Sequence, residues 1–517
     1  MTVFTSPFGT IPLSGLTITQ RVFQGLTERD RDAMIDGPTG RRVTAGELTD
    51  GTRALAGGLR ERGIGPGHVV AIMLPNMPDY FACFHGTAWA GATITTVNPA
   101  YTAAELHHQL TDSGAEILIT LPAFAETAIA GAENTAVREI FTLGEAPGAT
   151  PLSALFGPPL AEQAPVDVVN DTLVLPYSSG TTGLPKGVML THRNLVANVD
   201  QANHARPIEP GEWTVGFLPF FHIYGMTVLM NLFLGSGGGV ITMPRFDLEM
   251  FLKLIRDFRT KQVFVVPPVA LALAKHPMVD QYDLSALRYV FSGAAPLGAP
   301  LSGAVEARLG VRCEQGYGMT ELSPVSHLSA HDRGRAGAVG QTAPSTECRI
   351  VDPGTGQDLG AGQEGEVWVR GPQVMKGYLN NPAATEETLL PGGWLRTGDI
   401  AAFDKDGYLF IRDRLKELIK VKGFQVAPAE VEAELQSCPG VADAAVVGIP
   451  DEEAGELPVA FLVRAPGASV DAQAVGTHLA ARLAHYKLPA AYHFVDAIPK
   501  SASGKILRRM LKAGLAG

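Results

Sequence analysis

Cysteine is scarce in this chain: four residues, Cys83, Cys313, Cys348 and Cys438, in 517 positions. They are scattered, with no Cys-x-x-Cys pair and no histidine at zinc-ligand spacing, which excludes a disulfide framework or a structural zinc site. Buried thiols in a reducing compartment are the simpler expectation. Positive charge is short too. Lys+Arg 41 against Asp+Glu 52 gives a net charge of −11, and a general nucleic-acid binder would need clustered positive charge instead. Long apolar runs are missing as well. The charge-free stretch from Trp213 to Pro244 is interrupted by Pro219, Gly225, Asn231 and Gly237-Gly238-Gly239, so its apolar pieces are too short to cross a bilayer. It reads as buried core beside a cleft. A basic start with an apolar run is absent from the first residues, and the Ala-Gly end carries no retention or lipidation signal, so a cytoplasmic location is expected. The sequon Asn170-Asp171-Thr172 reads as chance. With 46% hydrophobic and 18% charged residues, dominant disorder is excluded.

What is present alternates. Val69–Leu74, Ala92–Val97 and Glu116–Thr120 are apolar or β-branched runs separated by helical patterns over Tyr80–Ala90 and Ala103–Leu110. Strand–helix–strand order with near-continuous apolar strands predicts mostly parallel sheets covered by helices. Gln262–Val266 and Leu287–Ser292 are further candidate strands. After about Val339 the texture changes: Glu364–Arg370 alternates like a half-exposed strand, and Gly407–Arg412 follows a turn at Asp406-Gly407. The charged stretch Asp413–Glu417 reads as a linker. Past it, a helix at Ala429–Gln436, strands at Val441–Gly448, Val459–Val463 and His493–Val495, and a helix at Val475–Leu483 make a small α+β domain.

Four segments carry chemistry. In Leu175–Gly187, the run Ser178-Ser179-Gly180-Thr181-Thr182-Gly183 followed by Lys186 gives a loop whose N–H groups can converge on phosphate oxygens. It is not a Walker loop. An exposed turn has similar composition, but this one follows an apolar strand and ends in Pro-Lys-Gly. In Gln315-Gly316-Tyr317-Gly318-Met319-Thr320-Glu321, a hydroxyl and a carboxylate side by side suit a phosphate and a Mg²⁺ ion, and Tyr317 offers a flat face. Thr397-Gly398-Asp399 with Arg414 supplies a carboxylate for ribose hydroxyls and a guanidinium to bridge ribose and phosphate. The Arg/Lys run after Arg414 alone suits a solvated helix face equally. Pro499–Ile506 puts Lys505 beside Gly504, as a loop delivering positive charge would, or as a plain basic loop.

Together and in this order, these segments resemble the adenylate-forming superfamily of acyl-CoA synthetases, adenylation domains and beetle luciferases, from roughly Val43 to Leu511. Pro219–Gly225, Ser292–Leu297 and Arg414–Val426 are most similar to 4-coumarate–CoA ligases and bacterial acyl-CoA synthetases. Two positions depart from that pattern: Val421 stands where an aromatic residue is usual, and Gly225 where a larger residue often follows the tyrosine. The latter suggests free volume in the acyl pocket.

The resemblance implies an α/β fold: a large N-terminal domain (1–413) of mostly parallel sheets with a small barrel-like β region, a hinge (414–416) and a small mobile α+β domain (417–517). It implies an acid that reacts with Mg·ATP to acyl-AMP and pyrophosphate, then with CoA to acyl-CoA and AMP, the acid being 4-coumarate or a similar aryl acid. A fatty acyl- or secondary-metabolite acyl-CoA synthetase, or an adenylation enzyme loading a carrier protein, is the alternative. Oxygen chemistry of the luciferase kind finds no support, and both lysines and the Asp/Arg pair argue against an inactive ligand sensor. By the resemblance, Ser178–Gly183 and Lys186 would cradle the β- and γ-phosphates, Thr320 the α-phosphate and Glu321 the Mg²⁺. Asp399 and Arg414 would hold the ribose, and Gly316 and Tyr317 would border adenine. His222 would sit near the substrate carboxylate, although a satisfied core histidine is a reasonable alternative. Tyr224, Val228, Ala294, Gln315 and Leu328 would line the acyl and adenylate pocket. Lys505 would act in adenylation, Lys416 as hinge, and Lys420 and Gln425 near the nucleotide. Lys422 and Gly423, with Arg245, would lie near CoA.

Overall fold

The apolar runs of the first third form the centre of an eight-stranded sheet. The computed structural model describes residues 2–178, 185–421, 424–451, 454–501 and 504–515. In it Val69–Ile72, Thr93–Thr96, Ile117–Thr120, Glu139–Thr142, Thr150–Pro151 and Thr172–Ser178 are parallel, and Lys186–Thr191 and Gly377–Tyr378 close one edge antiparallel. Helices Asp79–Trp89 and Ala103–Ser113 make the crossovers. The second starts where the sequence dictates, at a capping box in which Thr102 and Glu105 satisfy each other's backbone N–H. Strands Gln262–Val265, Tyr289–Ser292 and Arg312–Gln315 form a parallel trio. A third parallel set joins Trp213–Gly216, Gly239–Thr242 and Asp32–Asp36.

Beyond these, an antiparallel seven-stranded sheet that includes Gly365–Arg370, Trp394–Phe403 and Leu409–Arg414 curls into a half-barrel. The stretch expected as a linker begins as part of this sheet. Asp413 and Arg414 finish its last strand, because Asp399 and Arg414 are register partners across the pair and Ile400 faces Asp413.

The apolar core of this large unit runs to Leu409, with Ile411 packed against it. A separate core starts at Ile419 and gathers Val431, Leu435, Val446, Leu462 and Leu479. It belongs to a small α+β domain whose sheet includes Val441–Asp451 and Gly455–Arg464 and carries helices Pro428–Ser437 and Ala472–Ala480. Asp413 ties the two units: its Oδ2 accepts from the Ala429 N–H at 2.9 Å. The α/β fold with a large and a small domain is thus as the sequence implies.

The charge-free stretch is buried, as expected, but its centre is unusual. Gly225–Leu232 forms a π-helix with every residue buried. Among the described residues no helix is long and apolar enough to cross a membrane, and all four cysteines are buried and unpaired.

Candidate active site

The carboxyl ends of parallel strands and the half-barrel meet the small domain around a cleft of about 390 Å³. Ser178 comes from the end of the longest strand of the eight-stranded sheet, and Lys186 from the start of the strand beside it. His222 and Tyr224 come from the entrance of the π-helix, Ala294 and Gly316 from just past two strands of the parallel trio, and Thr320 and Glu321 from a 3₁₀ turn. Arg414, Lys416 and Lys505 complete the wall. Ligands of open α/β sheets bind at such strand ends.

Two polar clusters border this cleft. In the first, Glu321 Oε1 accepts from Ser178 Oγ at 3.2 Å and from Tyr378 OH at 2.8 Å. The Lys186 ammonium lies 5.0 Å from the centre of the Tyr378 ring. In the second, the Tyr317 hydroxyl donates to Asp399, and Arg414 Nε stands 3.5 Å from the other Asp399 oxygen. Burial pushes the Asp399 carboxyl up, while the Arg414 charge and the Tyr317 hydroxyl pull it back. The turn before Asp399 rests on buried Glu366, which accepts from the Gly398 N–H, from Arg396 and from Trp368 Nε1.

Lys505 reaches the cleft from the small domain directly after Gly504, where glycine is favoured. Gly504 has φ +80°, and a Cβ there would lie 3.2 Å from Val266 of the large domain. Burial, and then the nearby Arg414 charge, lower the Lys505 ammonium to about 8. His222 is pushed down to about 4 by burial alone, so its imidazole is neutral at pH 7.

Other residues singled out from the sequence fall elsewhere. Gln315 does not line the cleft: its amide is spent on the Leu297 backbone, accepting from N–H at 3.0 Å and donating to C=O at 3.1 Å. Val228 and Leu328 are buried in the core and likewise off the cleft wall. Arg245 is exposed ahead of helix Leu248–Asp257, away from the cleft. Lys420 is exposed on Ile419–Val421 and is the register partner of Gln425. Ser179, Gly180, Thr181, Thr182, Gly183, Lys422 and Gly423 lie outside the described residues.

The free volume expected at Gly225 is not there. A Cβ would sit 2.3 Å from the Pro219 carbonyl oxygen and 2.4 Å from that of Leu218. The residue is glycine because backbone passes against backbone. Conversely, Tyr378 and Glu366 escaped the sequence reading, since each lies far along the chain from the residues it holds. Tyr378 had one usable signal, an aromatic at the end of Met375-Lys-Gly-Tyr378 just ahead of a turn.

A carboxylate–arginine pair beside an aromatic face, a lysine close to a buried carboxylate with its hydroxyl partners, and a second lysine from a separate domain define an adenylate-forming enzyme. The comparisons agree. Residues 24–379 match the AMP-binding enzyme family and residues 430–505 the AMP-binding enzyme C-terminal domain; the chain belongs to this family. It is 42% identical over 506 residues to 4-coumarate–CoA ligase 5 of Oryza sativa subsp. japonica, covering 96% of this chain and 94% of that protein. Among solved structures it is similar to ATP-bound MatB from Rhodopseudomonas palustris (TM-score 0.89, 31% identity, 96% of this chain and 98% of that one). It is also similar to the anthranilate CoA ligase AuaEII in complex with anthranoyl-AMP (TM-score 0.90, 26% identity, 98% of each).

Proposed function

We propose that this enzyme activates a flat aryl acid of the 4-coumarate type and transfers it to CoA. The observation that carries the acid class is the shape of the slot beside His222. A Cβ on Gly293 would lie 2.9 Å from the Tyr224 ring, and one on Gly316 would lie 2.6 Å from the Phe291 ring. Glycines at these two positions let aromatic faces wall the slot, which suits a thin conjugated acid. The full-length likeness to 4-coumarate–CoA ligases supports the same reading.

The enzyme is an AMP-forming acid–CoA ligase. A carboxylate oxygen of the acid attacks the α-phosphorus of ATP, and the bond to the pyrophosphate oxygen breaks. The CoA sulfur then attacks the acyl carbon, and the bond to AMP breaks. Catalysis is positioning and charge neutralisation, with no covalent enzyme intermediate. In our assignment Asp399 and Arg414 hold the ribose, Tyr317 and Gly316 border the adenine, and Thr320 meets the α-phosphate. Ser178 through Gly183 and Lys186 take the outer phosphates. Neutral His222 can offer an N–H to the acid without pairing to it as a cation.

Glu321 fits a Mg²⁺ carried in with the nucleotide. Mg²⁺ takes one or two carboxylates plus substrate phosphates, and both hydrogen bonds to this carboxylate fall on Oε1. The ion would supply neutralisation of phosphate charge. A hinge at 414–416 would let the small domain, 417–517, rotate between half-reactions, with Lys416 at the hinge. The separate apolar cores on either side support that boundary. Lys420 and Gln425, and Lys422 and Gly423 with Arg245, would then serve the second orientation. A cytoplasmic setting suits four unpaired cysteines.

With acid, ATP, Mg²⁺ and CoA, the nucleotide product is expected to be AMP with one pyrophosphate per turnover. Chromatography of the products checks this, and ADP would contradict it. Pyrophosphate release across coumarate, cinnamate, benzoate and straight-chain acids is expected to favour the aryl-propenoic members. Preference for straight-chain acids would move the assignment to a fatty acyl-CoA synthetase. Failure of free CoA to stimulate AMP release would move it to carrier-protein loading.

A further inference from the structure

Tyr378 touches both ends of the phosphate-binding apparatus. It sits on the short strand Gly377–Tyr378, which pairs antiparallel with the strand that begins at Lys186, opposite Val188. Its backbone N–H is held by Thr385 Oγ1 at 2.9 Å, and the residue is 8% exposed, so the ring has little freedom. From that fixed position the hydroxyl donates to Glu321 Oε1, and the ring face lies under the Lys186 ammonium. Glu321 and Lys186 are 135 positions apart in sequence, and Tyr378 is 57 beyond Glu321.

We propose that Tyr378 is a positioning residue that presets the cation-binding carboxylate and the phosphate-binding lysine before Mg·ATP arrives. The hydroxyl, with Ser178, occupies Oε1 and so turns Oε2 toward the incoming cation. The ring holds the ammonium by its negative face without neutralising it, leaving its charge for phosphate. An acidic partner at this place would compete with phosphate for the lysine; an aliphatic one would hold neither group. The proposal rests on the assignment of Glu321 to the metal and Lys186 to the outer phosphates.

The test separates the two roles. Calorimetric binding of ATP and of AMP, without acid, is measured across a magnesium series for wild type, Tyr378→Phe, Tyr378→Leu and Glu321→Gln, each checked for an unchanged melting temperature. Tyr378→Phe keeps the ring and is expected to raise the magnesium half-point for ATP binding about tenfold, the usual scale of a lost hydrogen bond to a charged group. AMP binding in chelator should stay unchanged. Tyr378→Leu is expected to add about threefold weaker metal-free ATP binding, the scale of one cation–π contact. A wild-type half-point in Tyr378→Phe, with a raised one in Glu321→Gln, overturns the proposal alone. A wild-type half-point in Glu321→Gln overturns the assignment beneath it. Equal losses of ATP and AMP binding in either Tyr378 variant reduce Tyr378 to a structural role and overturn the proposal as well.

Discussion

Lys505→Ala is expected to slow adenylation by about 10²–10³-fold, the cost of removing one preorganised charge donor from a transition state. Thioester formation from supplied acyl-adenylate and CoA is expected to change by less than about threefold, because in our assignment the Lys505 charge serves the adenylation transition state, which that step does not pass through. The reason is positional. Lys505 belongs to the small domain yet lines the same cleft as Tyr317, Thr320 and Arg414, which is why we assign this domain orientation to adenylation. Equal losses in both half-reactions would sink the orientation-specific role.

The same lysine sets a pH signature. Burial and Arg414 lower its ammonium to about 8 from an ordinary 10.5. In free enzyme the cation is therefore lost as pH rises through 8, and kcat/KM for adenylation should fall there. Stability moves the other way. Between about 8 and 10.5 the folded chain binds fewer protons at this site than the unfolded chain, so this group's contribution to stability rises with pH across that window. A falling rate without unfolding thus separates deprotonation from denaturation. Lys505→Arg, charged throughout, should flatten the limb at a lower plateau; an unchanged limb would assign it to another group.

Much of this was legible before any coordinates. Val69–Ile72, Thr93–Thr96 and Ile117–Thr120 announce themselves because a strand covered on both faces is apolar or β-branched nearly throughout, with no charged residue. The polar segment Thr397–Asp399 and the downstream Arg414 are equally plain as departures from core composition, and the fold sets Asp399 and Arg414 side by side on neighbouring strands. The sequence was silent where one side chain serves another across space. Glu366 reads as one polar position of an alternating strand, and only the fold shows it accepting from Gly398 beneath the Asp399 turn. The resemblance put Gln315 in the acyl and adenylate pocket, and only the fold shows both ends of its amide hydrogen-bonded to Leu297. The π-helix at Gly225–Leu232 has the apolar composition of an ordinary buried helix, and hydrogen-bond spacing leaves no trace in composition.

Gly225→Ala is expected to lower kcat/KM for every acid alike, by about ten- to a hundredfold, whatever the size of the acid. Two carbonyl oxygens, of Leu218 and Pro219, stand within 2.4 Å of where its Cβ would lie. Backbone oxygens cannot rotate away as a side chain does, so the π-helix or the loop before it must shift. Overpacking of a tight interior typically costs about 1–3 kcal/mol, and every 1.4 kcal/mol is about tenfold in rate. In our assignment that shift falls on groups that meet the substrate. Met226 N–H bonds to the His222 carbonyl at 3.0 Å, and Tyr224 N–H to His222 Nδ1 at 3.3 Å, so the imidazole and the Tyr224 ring move with the backbone. Displacing them disturbs the acid carboxylate and the slot wall together, which is why no acid should escape. The measurement is kcat/KM over a ladder from benzoate to coumarate and longer acids, with ATP binding measured apart and a melting curve for each protein. ATP affinity should stay close to wild type, since Asp399, Arg414 and Tyr317 lie on other elements. A loss confined to the bulky acids would return Gly225 to the acyl pocket as a gauge of substrate size, and would mean that the backbone here yields more readily than these contacts imply.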